Sequence, residues 1–169
     1  MLIESLFSCS IVDYYKQQWK ALDKGARMTK SETPEVWYKD GLKFSCSGCG
    51  DCCTGAPGYV WVDQSEAQAI ADSLRMPLEE FEDQYTRKIG ARRSLKEFSN
   101  GDCVFFDNET RKCEVYTSRP NQCKTWPFWN SNLRTPDDWE RTCEECPGSG
   151  TGKLYQIDEI EERRNTVKI

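Results

Sequence analysis

The residues best able to do chemistry in this chain are cysteines, and four of them crowd into one short stretch. Phe44-Ser45-Cys46-Ser47-Gly48-Cys49-Gly50-Asp51-Cys52-Cys53 reads C-x2-C-x2-C-C, with glycines at positions 48 and 50 between the thiols. C-x2-C spacing lets two thiolates on one tight turn reach a common metal ion, because the intervening residues form a knuckle whose amides face the sulfurs. Glycine suits a knuckle since it accepts positive φ and lets backbone approach the ion. The adjacent pair Cys52-Cys53 adds a constraint. On extended backbone neighbouring side chains point to opposite sides, so the pair is expected to feed two metal centres, or one polynuclear centre, with further ligands from elsewhere.

The second half of the chain supplies them. Cys103, Cys113 and Cys123 fall at intervals of ten, and Cys146 precedes Pro147-Gly148. With Cys46, Cys49, Cys52 and Cys53 these make eight thiols, enough for two four-sulfur sets. The chain has no histidine, which excludes mixed Cys/His zinc sites and Cys–His nucleophilic pairs. An all-thiolate shell is soft and suits Zn²⁺, Cu(I) or iron–sulfur clusters. Arg119, between Cys113 and Cys123, is placed to donate to metal-bound sulfurs and offset their charge. Its alternative is a salt bridge to one of the 28 acidic residues. No catalytic constellation is visible apart from these candidate ligands.

Ten cysteines raise the choice between disulfides and metal. Residues 1–10 lack a basic n-region and carry Glu4, and no run of about 18 apolar residues exists, so neither export nor membrane insertion is expected. A reducing cytoplasm is the expected location, where clustered cysteines mean metal or redox chemistry. The 169 residues fit one domain, and with 37% hydrophobic residues and a mean hydropathy of −0.77 the apolar core must be modest. A net charge of −5 without a basic stripe argues against nucleic acid as a partner. Gly148-Ser149-Gly150-Thr151-Gly152-Lys153 resembles a phosphate loop only superficially. Its glycine spacing differs from Walker A, and Leu154 stands where Ser or Thr is needed.

Around these ligands the pattern predicts short elements. Ile11, Tyr15, Trp19 and Leu22 predict a helix over 11–24, followed by a polar linker. Tyr59 to Val62 predicts a strand, and Asp63 with Glu66 a capping box for a helix to about Arg75. Pro77 opens a second helix expected to end at Gly90. Strands are expected over 94–98 and 101–106, joined by Asn100-Gly101. Ser118 is the expected cap of a short helix carrying Cys123, 136–145 reads as a helix, and 154–164 as a charged amphipathic one.

The ordered set Cys46-x2-Cys49-x2-Cys52-Cys53, Gly101-Asp102-Cys103-Val104-Phe105-Phe106, Cys113-Glu114-Val115-Tyr116-x2-Arg119-Pro120-x2-Cys123, Trp126-Pro127-Phe128 and Cys146-Pro147-Gly148 resembles the YkgJ-type cysteine-cluster family, the zinc- or iron-chelating CxxCxxCC domain. The resemblance implies Cys46, Cys49, Cys52, Cys53, Cys103, Cys113, Cys123 and Cys146 as ligands. Cys9 and Cys143 fall outside its pattern, although Cys143-x2-Cys146 makes a second possible knuckle. Structural zinc would suit a thin core, since apparent zinc affinities of about 10–16 kcal/mol would dominate folding. An iron–sulfur centre would suit the aromatics Phe44, Tyr116, Trp126, Phe128 and Trp129 as a water-excluding shell, and ordinary core packing is their other reading. The expected architecture is α+β, a small irregular domain of short strands and helices organised around Cys-ligated metal. Residues 1–39 form an N-terminal helix and linker arm. Residues 40–169 form the cysteine-cluster domain with a C-terminal helix. The expected function is metal binding, with zinc or an iron–sulfur cluster as cofactor. The alternative is an iron–sulfur redox protein or a subunit of a metal-dependent enzyme.

Overall fold

The computed structural model describes residues 36–167 and residue 169, so the helix expected over 11–24, most of the arm and Cys9 lie outside the described residues. The strands are β1 (Leu42–Phe44), β2 (Trp61–Val62), β3 (Thr86–Ile89), β4 (Arg92–Leu95), β5 (Phe106–Asp107), β6 (Lys112–Cys113) and β7 (Lys153–Tyr155). The helices are α1 (Gln64–Leu74), α2 (Leu78–Tyr85), α3 (Asn121–Thr125), α4 (Pro136–Glu145) and α5 (Ile157–Thr166). This mixture of helices and small antiparallel sheets is an α+β architecture. The chain forms two compact units, residues 46–126 and residues 36–45 with 127–169.

In the unit of residues 46–126, α1 begins where the sequence predicts. The Asp63 carboxylate accepts from Glu66 N–H at 2.8 Å, and the Glu66 carboxylate accepts from Asp63 N–H at 2.9 Å. Helix α2 ends at Tyr85, five residues before the predicted stop, because Thr86–Ile89 pairs antiparallel with Arg92–Leu95 instead of continuing the helix. Gly90 is thus a hairpin residue, at φ 58 in a two-residue loop with Ala91. Of the strands expected at 94–98 and 101–106, Ser94 and Leu95 fall in β4 and Phe106 in β5, and across the Asn100-Gly101 turn the two segments meet only through an isolated Glu97–Cys103 bridge. Strand order is β2-β4-β3. Val62, Ala67, Ile70, Ala71, Phe81, Leu95, Phe105 and Val115 form the core of this unit, and Cys103 and Cys113 pack against it.

Two arginines of strands β3 and β4 pack over aromatic rings. Tyr59 stacks on Trp61, two residues on, at 4.9 Å, and the β2-β4-β3 sheet brings Arg87 over Tyr59 at 5.2 Å and Arg92 over Trp61 at 3.9 Å. Both rings are therefore capped by guanidinium, and Arg87 is paired with Glu97 at 2.9 Å. Sequence distance hid this column; strand pairing creates it.

In the other unit, β1 pairs antiparallel with β7, Leu42 opposite Tyr155 and Phe44 opposite Lys153. Residues 153–155 are consequently strand, and the predicted C-terminal helix begins later, at the Gln156/Glu159 capping box. The glycine loop before β7 serves packing: a Cβ on Gly148 would lie 2.2 Å from the Ser45 carbonyl oxygen, and Gly150 N–H donates to Lys43 O at 2.9 Å. Helix α4 matches its predicted bounds, capped by Thr135, whose hydroxyl accepts from Asp138 N–H at 3.1 Å. Trp37, Tyr38, Leu42, Phe128, Leu133, Trp139 and Ile160 form the core, with Phe44 and Cys143 packed on it. Phe128 stacks on Trp139 at 5.8 Å and meets Phe44 edge-on at 6.0 Å, which is ordinary core packing. The Tyr38 hydroxyl donates to Glu161 and accepts from Arg164 at 3.0 Å, and burial with the carboxylate contact pushes its pKa up to about 12.

The α1 cap gives a direct stability test. The Glu66 N–H and Ser65 hydroxyl hold the Asp63 pKa below its ordinary value. A depressed carboxylate contributes stability above the unfolded aspartate pKa of about 3.9 and loses it as pH falls through the folded value. Asp63→Ala is expected to cost about 1 kcal/mol at pH 7, with a smaller difference from wild type in acid, by urea unfolding.

Candidate metal centre

The knuckle is built on an adjacent hairpin. Gly50 sits at φ 80 and caps a single 3-10 turn, Asp51–Cys53, closed by Cys53 N–H to Gly50 O at 2.9 Å. No side chain fits at position 50, since a Cβ there would lie 2.5 Å from the Phe106 ring of β5. Arg111, in the β5–β6 loop, donates through Nε and Nη2 to the Cys49 carbonyl at 3.1 and 2.9 Å. Its Nη2 also meets Asp51 at 2.7 Å, and its guanidinium lies 4.9 Å from the Phe106 ring centroid. On the far side of the turn Cys103 N–H donates to Cys53 O at 2.8 Å.

The 3-10 turn overturns the extended-backbone expectation for the adjacent pair. Successive residues on such a turn are separated by about a third of a revolution, not a half. The Cys52 and Cys53 sulfurs accordingly stand 4.0 Å apart. That is near the edge of about 3.8 Å that four thiolates at 2.3 Å from one zinc would define.

The remaining thiols of this unit arrive on separate elements. Cys103 opens the turn into β5, its carbonyl accepting from Phe106 N–H at 2.8 Å. Cys113 stands opposite Phe106 in the β5–β6 ladder. Cys123 is carried by α3, whose cap is Pro120 rather than the predicted Ser118. Gln122 beside it locks α3 to the edge of β2, accepting from Trp61 N–H at 2.9 Å and donating to Tyr59 O at 2.8 Å.

Electrostatics ties five of these thiols together. Burial pushes the Cys103 pKa up to about 11, with Cys113 and Cys52 adding to the rise. Burial also raises Cys123, reinforced by Cys103, Cys52 and Cys113, and raises Cys113. The hydrogen bond between the adjacent thiols pulls Cys52 down to about 7 and drives Cys53 up, with burial, Cys52, Cys103 and Cys113 adding to the rise. Arg119 lowers Cys52, Cys113 and Cys123 together. Its guanidinium lies 3.8 Å from the Tyr116 ring centroid and donates to Tyr116 O. Among the described residues no carboxylate pairs with it, so the salt-bridge alternative finds no partner there.

Three further candidates complete the expected set. Cys46 is exposed and Cys49 half-buried on the knuckle. Cys146 belongs to the other unit, buried at the C-cap of α4, with its N–H donating to Thr142 O at 2.9 Å. Among the described residues no three Cys, Asp or Glu side chains already converge on one point as a metal would require. The donor set nonetheless fits a soft cation: sulfur alone, clustered, partly desolvated and mutually repelling once ionised. Sequence reasoning missed Arg111, Phe106 and Gln122. Only the bare Gly50 signalled that another segment approaches the knuckle.

Comparison with known proteins agrees with this chemistry. The sequence profile of the CxxCxxCC family, described as "Putative zinc- or iron-chelating domain", matches residues 45–147. Over 110 residues the chain is 36% identical to "Uncharacterized protein MJ0661" of Methanocaldococcus jannaschii, an alignment covering 64% of this chain and 58% of that protein. No solved structure matches the chain. The family description supports a metal-binding function and a metal cofactor. Among the described residues no helix is long and apolar enough to cross a membrane.

Two glycines separate packing from backbone strain. Gly48 (φ 70) and Gly50 (φ 80) both carry positive φ, but a Cβ at position 48 meets nothing within 4 Å. Gly48→Ala should therefore cost only the left-handed penalty of about 1–2 kcal/mol. Gly50→Ala should cost clearly more and weaken metal retention, as read by urea unfolding of metal-free protein and by chelator competition.

Proposed function

This chain belongs to the CxxCxxCC family, and on that premise we propose that it binds more than one metal ion, as zinc or as an iron–sulfur cluster, through thiolates alone. The donors in this reading are Cys46, Cys49, Cys52, Cys53, Cys103, Cys113, Cys123 and Cys146. The carrying observation is the group of Cys52, Cys53, Cys103, Cys113 and Cys123, each within electrostatic reach of others on different elements. Five sulfurs exceed the four that a tetrahedral ion takes, which favours two ions or a polynuclear centre over a single closed site. Arg119 supplies one fixed positive charge to that group, and metal cations supply the rest. Cys146 enters through the sequence pattern and the span of the family match. Cys143, packed on the other unit's apolar core, is read as a small hydrophobic side chain. The partners in this reading are metal ions, and the compartment is the reducing cytoplasm, which keeps such thiols available.

The centre's role is stabilising or storage and transfer. Redox work, alone or as a subunit of a metal-dependent enzyme, is the second reading, favoured by the desolvation of Cys103 and Cys123 beside Arg119. Purification without oxygen followed by elemental analysis and absorption spectroscopy separates the two. A colourless chain with more than one zinc supports the first reading, and a brown chain with iron and sulfide the second. Less than one bound ion per chain would defeat both. Cys52→Ser and Cys123→Ser should each lower bound metal and destabilise the fold, whereas Cys9→Ser should do neither. Equal effects at all three would refute the ligand assignment.

A further inference from the structure

We propose that Arg111 is the positioning residue that holds the Cys49–Cys53 knuckle against the β5–β6 hairpin before any ion arrives, a role that rests on the metal-binding reading for its purpose but not for its test. Three contacts converge on one side chain. Its fork takes the Cys49 carbonyl at 3.1 and 2.9 Å, Nη2 takes Asp51 at 2.7 Å, and its flat face lies over Phe106. The Cys49 carbonyl and Asp51 flank Gly50, the residue whose backbone rests on the same Phe106 ring. Carbonyl, carboxylate and ring thereby fix the knuckle on both sides of its tightest point.

The backbone of Arg111 gives an independent observation. It sits at φ 58, a left-handed conformation that residues with a side chain rarely adopt. Glycine or asparagine would hold this hairpin position more cheaply. A strained arginine there is explained by what its side chain holds. Because Cys113 lies two residues on, in the ladder opposite Phe106, the same hairpin that grips the knuckle also carries a candidate donor. The grip therefore sets the knuckle thiols in register with Cys113.

Arg111→Gly separates the two roles, since it relieves the backbone while removing the clamp. In metal-free protein, hydrogen exchange at the Cys53 and Cys103 amides, which donate to Gly50 O and Cys53 O, should accelerate about tenfold, the worth of losing charge-assisted hydrogen bonds. The unfolding midpoint should stay equal or rise, and exchange in α1 should not change. With Co²⁺ as the probe, affinity should fall about 10–100-fold and the thiolate-to-cobalt bands should shift. Arg111→Lys, which keeps charge but not the fork, should fall between. Unchanged exchange at Cys53 and Cys103 overturns the proposal. So does a global loss of stability large enough to account for faster exchange, because Arg111 would then be an ordinary stabilising residue. If wild-type protein takes up no Co²⁺, the metal-binding reading is contradicted, while the exchange measurement still decides the clamp.

Discussion

Sulfur atoms that are both desolvated and close together resist ionisation, and that constraint governs the thiols of Cys53, Cys103, Cys113 and Cys123. Burial penalises each thiolate, and each thiolate penalises the next. The pKa rises at Cys103, Cys113 and Cys123 have these two causes, and at Cys53 the hydrogen bond with Cys52 adds the largest part. Polypeptide alone offers limited relief: one sulfur–sulfur hydrogen bond between Cys52 and Cys53, and one guanidinium at Arg119. A cation bound among these thiols would offset that cost, which is the reading proposed above.

Holding the group requires rigid elements, because the thiols come from segments far apart in sequence. Cys103 reaches Cys53 through a backbone hydrogen bond, Cys113 is fixed by strand pairing, and Cys123 rides on a helix pinned to β2 by Gln122. The apolar core beneath them contains Ile70, Phe81 and Phe105, which anchor α1, α2 and the turn into β5. Core and thiol group meet at Cys103 and Cys113, which line both. Packing therefore limits how far these two sulfurs can retreat from their neighbours.

Much of this was legible in the sequence. The capping box at Asp63 and the bounds of α4 rest on short-range chemistry that spacing reveals. Errors came where tertiary pairing overrode local preference. Gly90 reads as a helix stop, but Thr86–Ile89 finds a partner strand, and Leu154 and Tyr155, read as helix, pair with β1 instead. The Cys52-Cys53 geometry was misjudged because the 3-10 turn depends on Gly50 meeting Phe106, a contact 56 positions away. Arg111 was invisible for the same reason: its meaning lies in what folding brings to it.

The central claim is that sulfur alone surrounds the bound metal. X-ray absorption at the metal edge, on protein purified without oxygen, measures this directly. The account predicts a first shell of sulfur at about 2.3 Å without nitrogen or oxygen scatterers. A first shell dominated by nitrogen or oxygen would contradict it.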